Sequence, residues 1–283
     1  MVRRITIDKT LLTYNKNKLM KRVILTCLIS LIALNAMAQS SEERPRFPRF
    51  KVLAFYNPHV EEAHVQFAEE AVKYFKGLTI GDGFVFDVTT DMSDMNDEKL
   101  KDYRMIMMLN DVPHAPEQRA AFERYMENGG GWFGFHVSAY NDRYTDWPWF
   151  VEFLGGGVFY RNNWPSMPAK LVVDKSDHRV AKGLPSTFIA PENEWYQWKP
   201  SPREKSNIDV IVSLSPDNYP LGLKDIIPDG DLPVVWTNRN YRMVYVNMGH
   251  DSRAFTNATQ NYMFINCFRW IMECDPEGNP FLR

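Results

Sequence analysis

The run "RMIMMLN", Arg104 to Asn110, restricts the fold of this chain more than any other stretch. Apolar residues that continue without alternation read as a strand buried on both faces. Such a strand needs a sheet with helices on both sides. The neighbouring sequence supplies them. "FKVLAFY" reads as a short buried strand and "FVFDVTT" as an alternating one. Between them, Ala63, Phe67, Ala71 and Phe75 recur every four residues, which predicts a helix over 60–76 ending at Gly77. "NDEKLKDY" reads as a short helix. "PEQRAAFERYMEN" is a longer one, with Pro116 near its start and Gly129 as its C-cap. "WFGFH" is the next buried strand. Strand and helix alternate through short connections, so the expected core is a doubly wound, parallel α/β sheet with right-handed crossovers.

The second half has a different rhythm. "AKLVVD", "STFIA", "NEWYQW", "IDVIVSLS", "LPVVWTN" and "RMVYVNMG" read as strands with few helices between them, and "NATQNYMFINCFRWIMEC" as a long final helix. There is no internal repeat or low-complexity tract. The expectation is one α/β domain over residues 50–283, with the later strands elaborating a single sheet.

The N-terminal segment reads as separate from the fold. Lys21 and Arg22 precede an apolar run from Val23 to Leu34, and Ala36 and Ala38 occupy small-residue positions. This is the pattern of a secretory signal peptide over residues 1–38, cleaved before Gln39. Met20 is an alternative start. Residues 39–49 form a charged, proline-bearing leader. The apolar run is short for a membrane span, and Cys27 lacks a lipobox, so the expected protein is exported without stable membrane insertion. Residues 1–38 hold seven of the 33 basic residues and one of the 35 acidic ones, leaving 26 against 34 and a formal charge of −8. With no basic patch, nucleic acid is not an expected partner. Cys267 and Cys274 on one helix would lie roughly 10 Å apart, too far for a disulfide, and read as core thiols.

In open α/β sheets, ligands bind beyond the carboxyl ends of the strands. Four polar stretches are expected there: Asn57 to His64, Asn110 to His114, His136 to Tyr140, and Gly249 to Arg253. "NGGGWFGFHVSAY" reads as cap, strand, sharp turn and new helix, with His136 at a turn where hydrolases and amidotransferases place a nucleophile. Imidazole is a general base, proton shuttle or metal ligand near neutral pH. His64 lies between apolar helix positions, where a lone histidine is more often structural. His178 in "SDHRVAKGL" reads as a turn cap, and His59 and His114 as loop residues. Glu194 sits among aromatics in "NEWYQW", a setting that suits a carboxyl to acid work or to a salt bridge. Neither glycine-rich run has phosphate-loop or dinucleotide spacing.

These motifs resemble the ThuA-like family, named for trehalose utilisation, within the class I glutamine amidotransferase-like fold. The resemblance runs from about Phe50 to Cys274, on "GGGWFGFH", "SDHRVAKGL", "NEWYQW" and "LPVVWTNRNYRMVYVNMGHD". It implies a flavodoxin-like, three-layer sandwich with a mostly parallel central sheet. The family's histidine at the start of the first helix falls on His64, and the one after the glycine-rich strand on His136. Its acid before an aromatic pair falls on Glu194, and the histidine of its "LGHD" on His250. Two departures are Asn193, where relatives commonly carry aspartate, and "YRNNWP", where many carry His-Pro.

The resemblance implies carbohydrate metabolism and not amidotransfer. The expected activity is His/Glu acid–base chemistry on a sugar or keto-sugar derivative, as a hydrolase, lyase or isomerase step. His136 is the expected base or proton relay, partly solvated at its turn, and Glu194 its acid partner. His64 and His250 complete the site, and Tyr140, Trp195 and Tyr196 are the expected substrate walls. No cofactor is expected. Three histidines and a glutamate could hold a divalent ion, but no HxH or HExxH spacing supports one. The alternative is a non-catalytic carbohydrate-binding protein with a decayed amidotransferase-like site.

Overall fold

The computed structural model describes residues 50–218 and 232–273. The expected signal peptide and leader, and Cys274, lie outside the described residues.

Eleven strands are described: β1 Lys51–Phe55, β2 Val85–Thr89, β3 Met105–Met108, β4 Gly131–Phe135, β5 Val158–Arg161, β6 Met167–Val173, β7 Thr187–Asn193, β8 Gln197–Lys199, β9 Ile208–Leu214, β10 Pro233–Asn238 and β11 Arg242–Val246. The helices are α1 Glu62–Asp82, α2 Asp97–Leu100, α3 Pro116–Glu127, α4 Pro148–Phe153 and α5 Ala258–Glu273. Nine strands form one mixed sheet in the order β2-β1-β3-β4-β11-β10-β9-β6-β7, and β5 pairs with β8 in a second small sheet. From β2 to β11 every pairing is parallel. From β11 to β7 every pairing is antiparallel. The parallel core thus continues directly into the later strands, as their polar connectors imply.

Alternation along the strands divides the core into two layers. Val52, Ala54, Met105, Met107, Phe133 and Phe135 meet Phe67 and Phe75 of α1 and Phe264 and Phe268 of α5. Leu53, Phe55, Ile106, Met108 and Trp132 meet Phe122 of α3 and Phe150 and Phe153 of α4 on the other face. The result is a three-layer α/β architecture. Successive strand side chains point to opposite faces, so "MIMM" needs apolar groups at every position.

Three local expectations change. α1 runs through Gly77 and stops at Gly83, whose left-handed conformation (φ 69°) lets its N–H reach the Thr79 carbonyl. An isolated glycine weakens a helix by only about 1 kcal/mol, and the apolar stripe of α1 exceeds that. "NEWYQW" is not one strand: β7 ends at Asn193, and Glu194 to Tyr196 cross to β8 as irregular backbone. The helix expected after His136 is a four-residue 3₁₀ turn, His136–Ala139. No helix among the described residues is long and apolar enough to cross a membrane.

Candidate functional site

His64, His136, Glu194 and His250 come together beyond the carboxyl ends of the parallel strands. One nitrogen or oxygen from each lies within 4.8 Å of the other three. Four distant segments deliver them. His64 enters from the first turn of α1, His136 from the end of β4, Glu194 from the β7–β8 crossing, and His250 from the loop after β11.

Backbone geometry fixes His136. Its φ of 43° is left-handed, a conformation unusual outside glycine and a feature of strained functional turns. The Ser138 hydroxyl accepts the Phe135 N–H at 2.7 Å and closes the turn. Gly249 passes so near that a Cβ on it would lie 2.6 Å from the Cβ of His136, and its φ of 153° also disfavours a side chain. The glycine of "MGHD" therefore brings the β11 loop, and His250 with it, against His136.

A buried amide network holds the rest. The Asn193 Oδ1 accepts the N–H groups of Gly249 and His250, both at 3.1 Å. Its Nδ2 donates to the carbonyls of Glu194 and Asn247. The Asn247 carbonyl accepts from His136 Nδ1 at 2.8 Å, and its Oδ1 accepts the Tyr196 N–H. Asn110 donates to the carbonyl of His64. Asn193, where relatives commonly carry an acid, thus acts as donor and acceptor at once, which an ionised carboxylate cannot do. Asn163 of "YRNNWP" accepts the Trp195 N–H and donates to the Asn193 carbonyl.

Within the cluster, His250 Nδ1 lies 3.2 Å from His64 Nε2 and 3.4 Å from Glu194 Oε2. His136 Nε2 lies 3.9 Å from the same carboxylate oxygen and makes no hydrogen bond. On the outer side, His64 Nδ1 faces Glu61 at 3.8 Å. Burial, then the neighbouring His136 and His250, holds His64 down at about 4. Burial, then His250, holds His136 down at about 3. Both imidazoles are therefore held in the neutral form, each with a lone pair available to a cation.

The burial revises the roles assigned from sequence. His136 is 0% exposed and is not a partly solvated base. Glu194 has the most exposed side chain of the four, at 12%. Trp195 is not a wall: it is wholly buried in the α1/α5 layer, and its indole N–H donates to the Met167 carbonyl. Tyr196 turns to the opposite face and lays its ring 4.2 Å from that of His136. Phe159 bridges Tyr196 to the exposed Tyr140, with ring centroids 4.9 and 5.0 Å apart. A continuous aromatic path therefore leads from the surface to the cluster. Asp251 caps the 3₁₀ turn Ser252–Phe255 and pairs with Arg253. His178 caps another such turn, accepting the Val180 N–H, as expected. His59 and His114 are exposed.

Sequence reasoning missed Asn247 and Phe159. Asn247 carried one signal, a polar residue directly after an apolar strand and two before a glycine. Phe159 carried none, because β5 is too short to read.

No curated protein matches the chain. Among solved structures, a ThuA-like protein from Bacteroides uniformis is 57% identical, covering 86% of this chain and 99% of that one, with a TM-score of 0.80. A second ThuA-like protein, from Parabacteroides merdae, is 18% identical over 83% of this chain and 92% of that one, with a TM-score of 0.59, and shares the fold. The family model for ThuA, described as trehalose utilisation, matches residues 51–271. The chain belongs to the ThuA family.

Proposed function

We propose that this protein is an exported enzyme that processes a sugar or keto-sugar derivative at the His64–His136–Glu194–His250 cluster, through a hydrolase, lyase or isomerase step. The convergence of these four groups carries the reading. Buried titratable groups gathered at a ligand-binding sheet edge are costly to fold and are characteristic of reaction centres. The substrate class follows from the family's description, trehalose utilisation. The aromatic path from Tyr140 through Phe159 to Tyr196 supports it, since ring faces stack on the apolar faces of sugars.

Glu194 is the proposed proton carrier because it is the member most open to solvent. In a lyase or isomerase step its carboxylate takes a proton from a carbon or hydroxyl, then returns it to the leaving oxygen or the adjacent atom. His136 lies behind it, with Nε2 3.9 Å from the carboxylate. We propose no amidotransfer: imidazole, not thiol, occupies the strand-end turn, and Cys267 is buried in α5. Export rests on the basic, apolar and small-residue pattern of residues 1–38, and a native N-terminus at Gln39 would support it.

The test is a screen of purified protein against sugars and keto-sugars with product analysis, repeated with Glu194→Gln. Turnover by the wild type and its loss in the variant support the reading. Sugar binding by the wild type without turnover supports the carbohydrate-binding alternative, and neither binding nor turnover defeats both.

A further inference from the structure

We propose that His64, His136, Glu194 (through Oε2) and His250 bind one divalent transition-metal ion, with Zn²⁺ the best fit, which leaves Glu194 Oε1 for the proton step of the proposed function. The donor set is three imidazoles and one carboxylate. That composition suits zinc and its first-row neighbours, whereas calcium and magnesium prefer oxygen shells. Donors held about 2.0–2.2 Å from a tetrahedral zinc lie about 3.3–3.5 Å from one another. The observed separations of 3.2, 3.4 and 3.9 Å surround that value, and every donor lies within 4.8 Å of the rest.

Hydrogen bonding alone does not account for the cluster. The Asn247 carbonyl can only accept, so His136 Nδ1 carries the hydrogen of the neutral ring. Its Nε2 is then a lone pair, wholly buried, without a hydrogen-bond partner, 3.9 Å from a carboxylate oxygen. His250 Nδ1 holds at most one hydrogen, yet faces both His64 Nε2 and Glu194 Oε2. His250 Nδ1 is thus shared between two neighbours and His136 Nε2 has none within hydrogen-bond reach, whereas one cation at their centre takes a donor from all four.

The outer groups match as well. Metal-bound imidazoles characteristically donate their second nitrogen to a carbonyl or carboxylate, which fixes the ring. His136 does so to Asn247, and His64 turns its second nitrogen toward Glu61. The chain spacing hides the site because each donor comes from a different segment.

Chelator-stripped protein, confirmed as folded by circular dichroism, is titrated with Zn²⁺ by calorimetry and with Co²⁺ by visible absorption. The expected result is one ion per chain, a raised Tm with Zn²⁺, and the intense bands of four-coordinate Co²⁺. X-ray absorption of the zinc form should show scattering from three imidazoles. His136→Ala and His250→Ala should each weaken Zn²⁺ binding at least 10²-fold, while His114→Ala, at an exposed loop, leaves it unchanged. Failure of the folded wild type to bind Zn²⁺, Co²⁺, Ni²⁺, Mn²⁺ or Fe²⁺ overturns the proposal. So does binding that survives both variants, or a zinc spectrum without imidazole, which decides the matter even where a variant fails to fold. Metal binding is measured without sugar, so a protein that binds zinc and turns over no carbohydrate defeats the functional reading and leaves this inference intact.

Discussion

Strands β4 and β11 lie side by side and parallel, and their two ends treat buried polar groups in opposite ways. At the amino end, Arg242 is buried and donates to the carbonyls of Gly129 and Ile271. Those carbonyls lie just past the C-terminus of α3 and in the last turn of α5, where helix dipoles favour a cation. Tyr125 donates to the Gly131 carbonyl nearby. At the carboxyl end the same two strands deliver His136 and His250, and there a buried nitrogen keeps its lone pair free. Partners for the Arg242 guanidinium and the Tyr125 hydroxyl make a clamp, whereas a missing partner at the ligand-binding edge makes a place for one. Burial of polar groups therefore does not by itself identify a site.

The sharpest break of this comparison is His136→Ala. Turnover on the carbohydrate found in the screen should fall on the order of 10² to 10⁴-fold, about 3–5 kcal/mol in the barrier. Tm should move by only a few degrees, because the ring makes one hydrogen bond, to Asn247. A variant that unfolds readily while its folded fraction keeps full activity would make this end a clamp too.

Arg242→Met is the converse. It removes charge-assisted hydrogen bonds and leaves two carbonyls without this donor. The expected loss is about 2–3 kcal/mol of unfolding free energy, read from urea midpoints, with activity per folded molecule retained. Lost activity at unchanged stability would contradict the division between the two ends.

The third prediction concerns pH. His178 lies away from both ends and caps its turn through Nδ1. Burial is the main cause that holds it down at about 4; Asp209 and Asp177 oppose the shift, and Lys175 and Arg179 assist it. The folded value is below the ordinary 6.5, so between those values the unfolded chain binds more protons. Stability from this group is then complete above pH about 6.5 and is lost as pH falls through about 4, on the order of 2 kcal/mol in all. His64 and His136 shift in the same direction, so the wild-type acid limb contains all three. His178→Asn keeps a capping side chain and should flatten that limb by its own share, measured as unfolding free energy against pH. An unchanged limb would show that protonation leaves the cap intact.

The parallel half of the fold was legible because its signals are local. "MIMM" states double burial in four residues, and the stripe of α1 states its face. The antiparallel half was legible as strands but not as pairings, because the register of β9 against β6 and β10 is set by residues far apart in sequence. His136 and His250 were readable as strand-end residues, and the family pattern added His64 and Glu194. One shared pocket was the expectation drawn from the family pattern; the contact that brings the segments together, Asn193 to the loop of Gly249, was not readable, because it joins residues far apart in sequence. Trp195 and Tyr196 were read together as walls. Sequence adjacency concealed that they face opposite layers.

That last pair gives the smallest and most local test. Trp195→Phe keeps an aromatic ring but removes the donor to the Met167 carbonyl, a bond of 2.8 Å. The expected cost is about 1 kcal/mol, a drop of a few degrees in Tm, with KM for the carbohydrate unchanged because the indole has no exposed surface. Tyr196→Leu removes the ring lying on His136 and should instead raise KM or lower kcat more than it lowers Tm. The two neighbours should therefore separate cleanly, one in stability and the other in kinetics. If Trp195→Phe raises KM at constant Tm, the substrate reaches the α1/α5 side of the crossing, and the division between the two layers at Glu194 to Tyr196 is wrong.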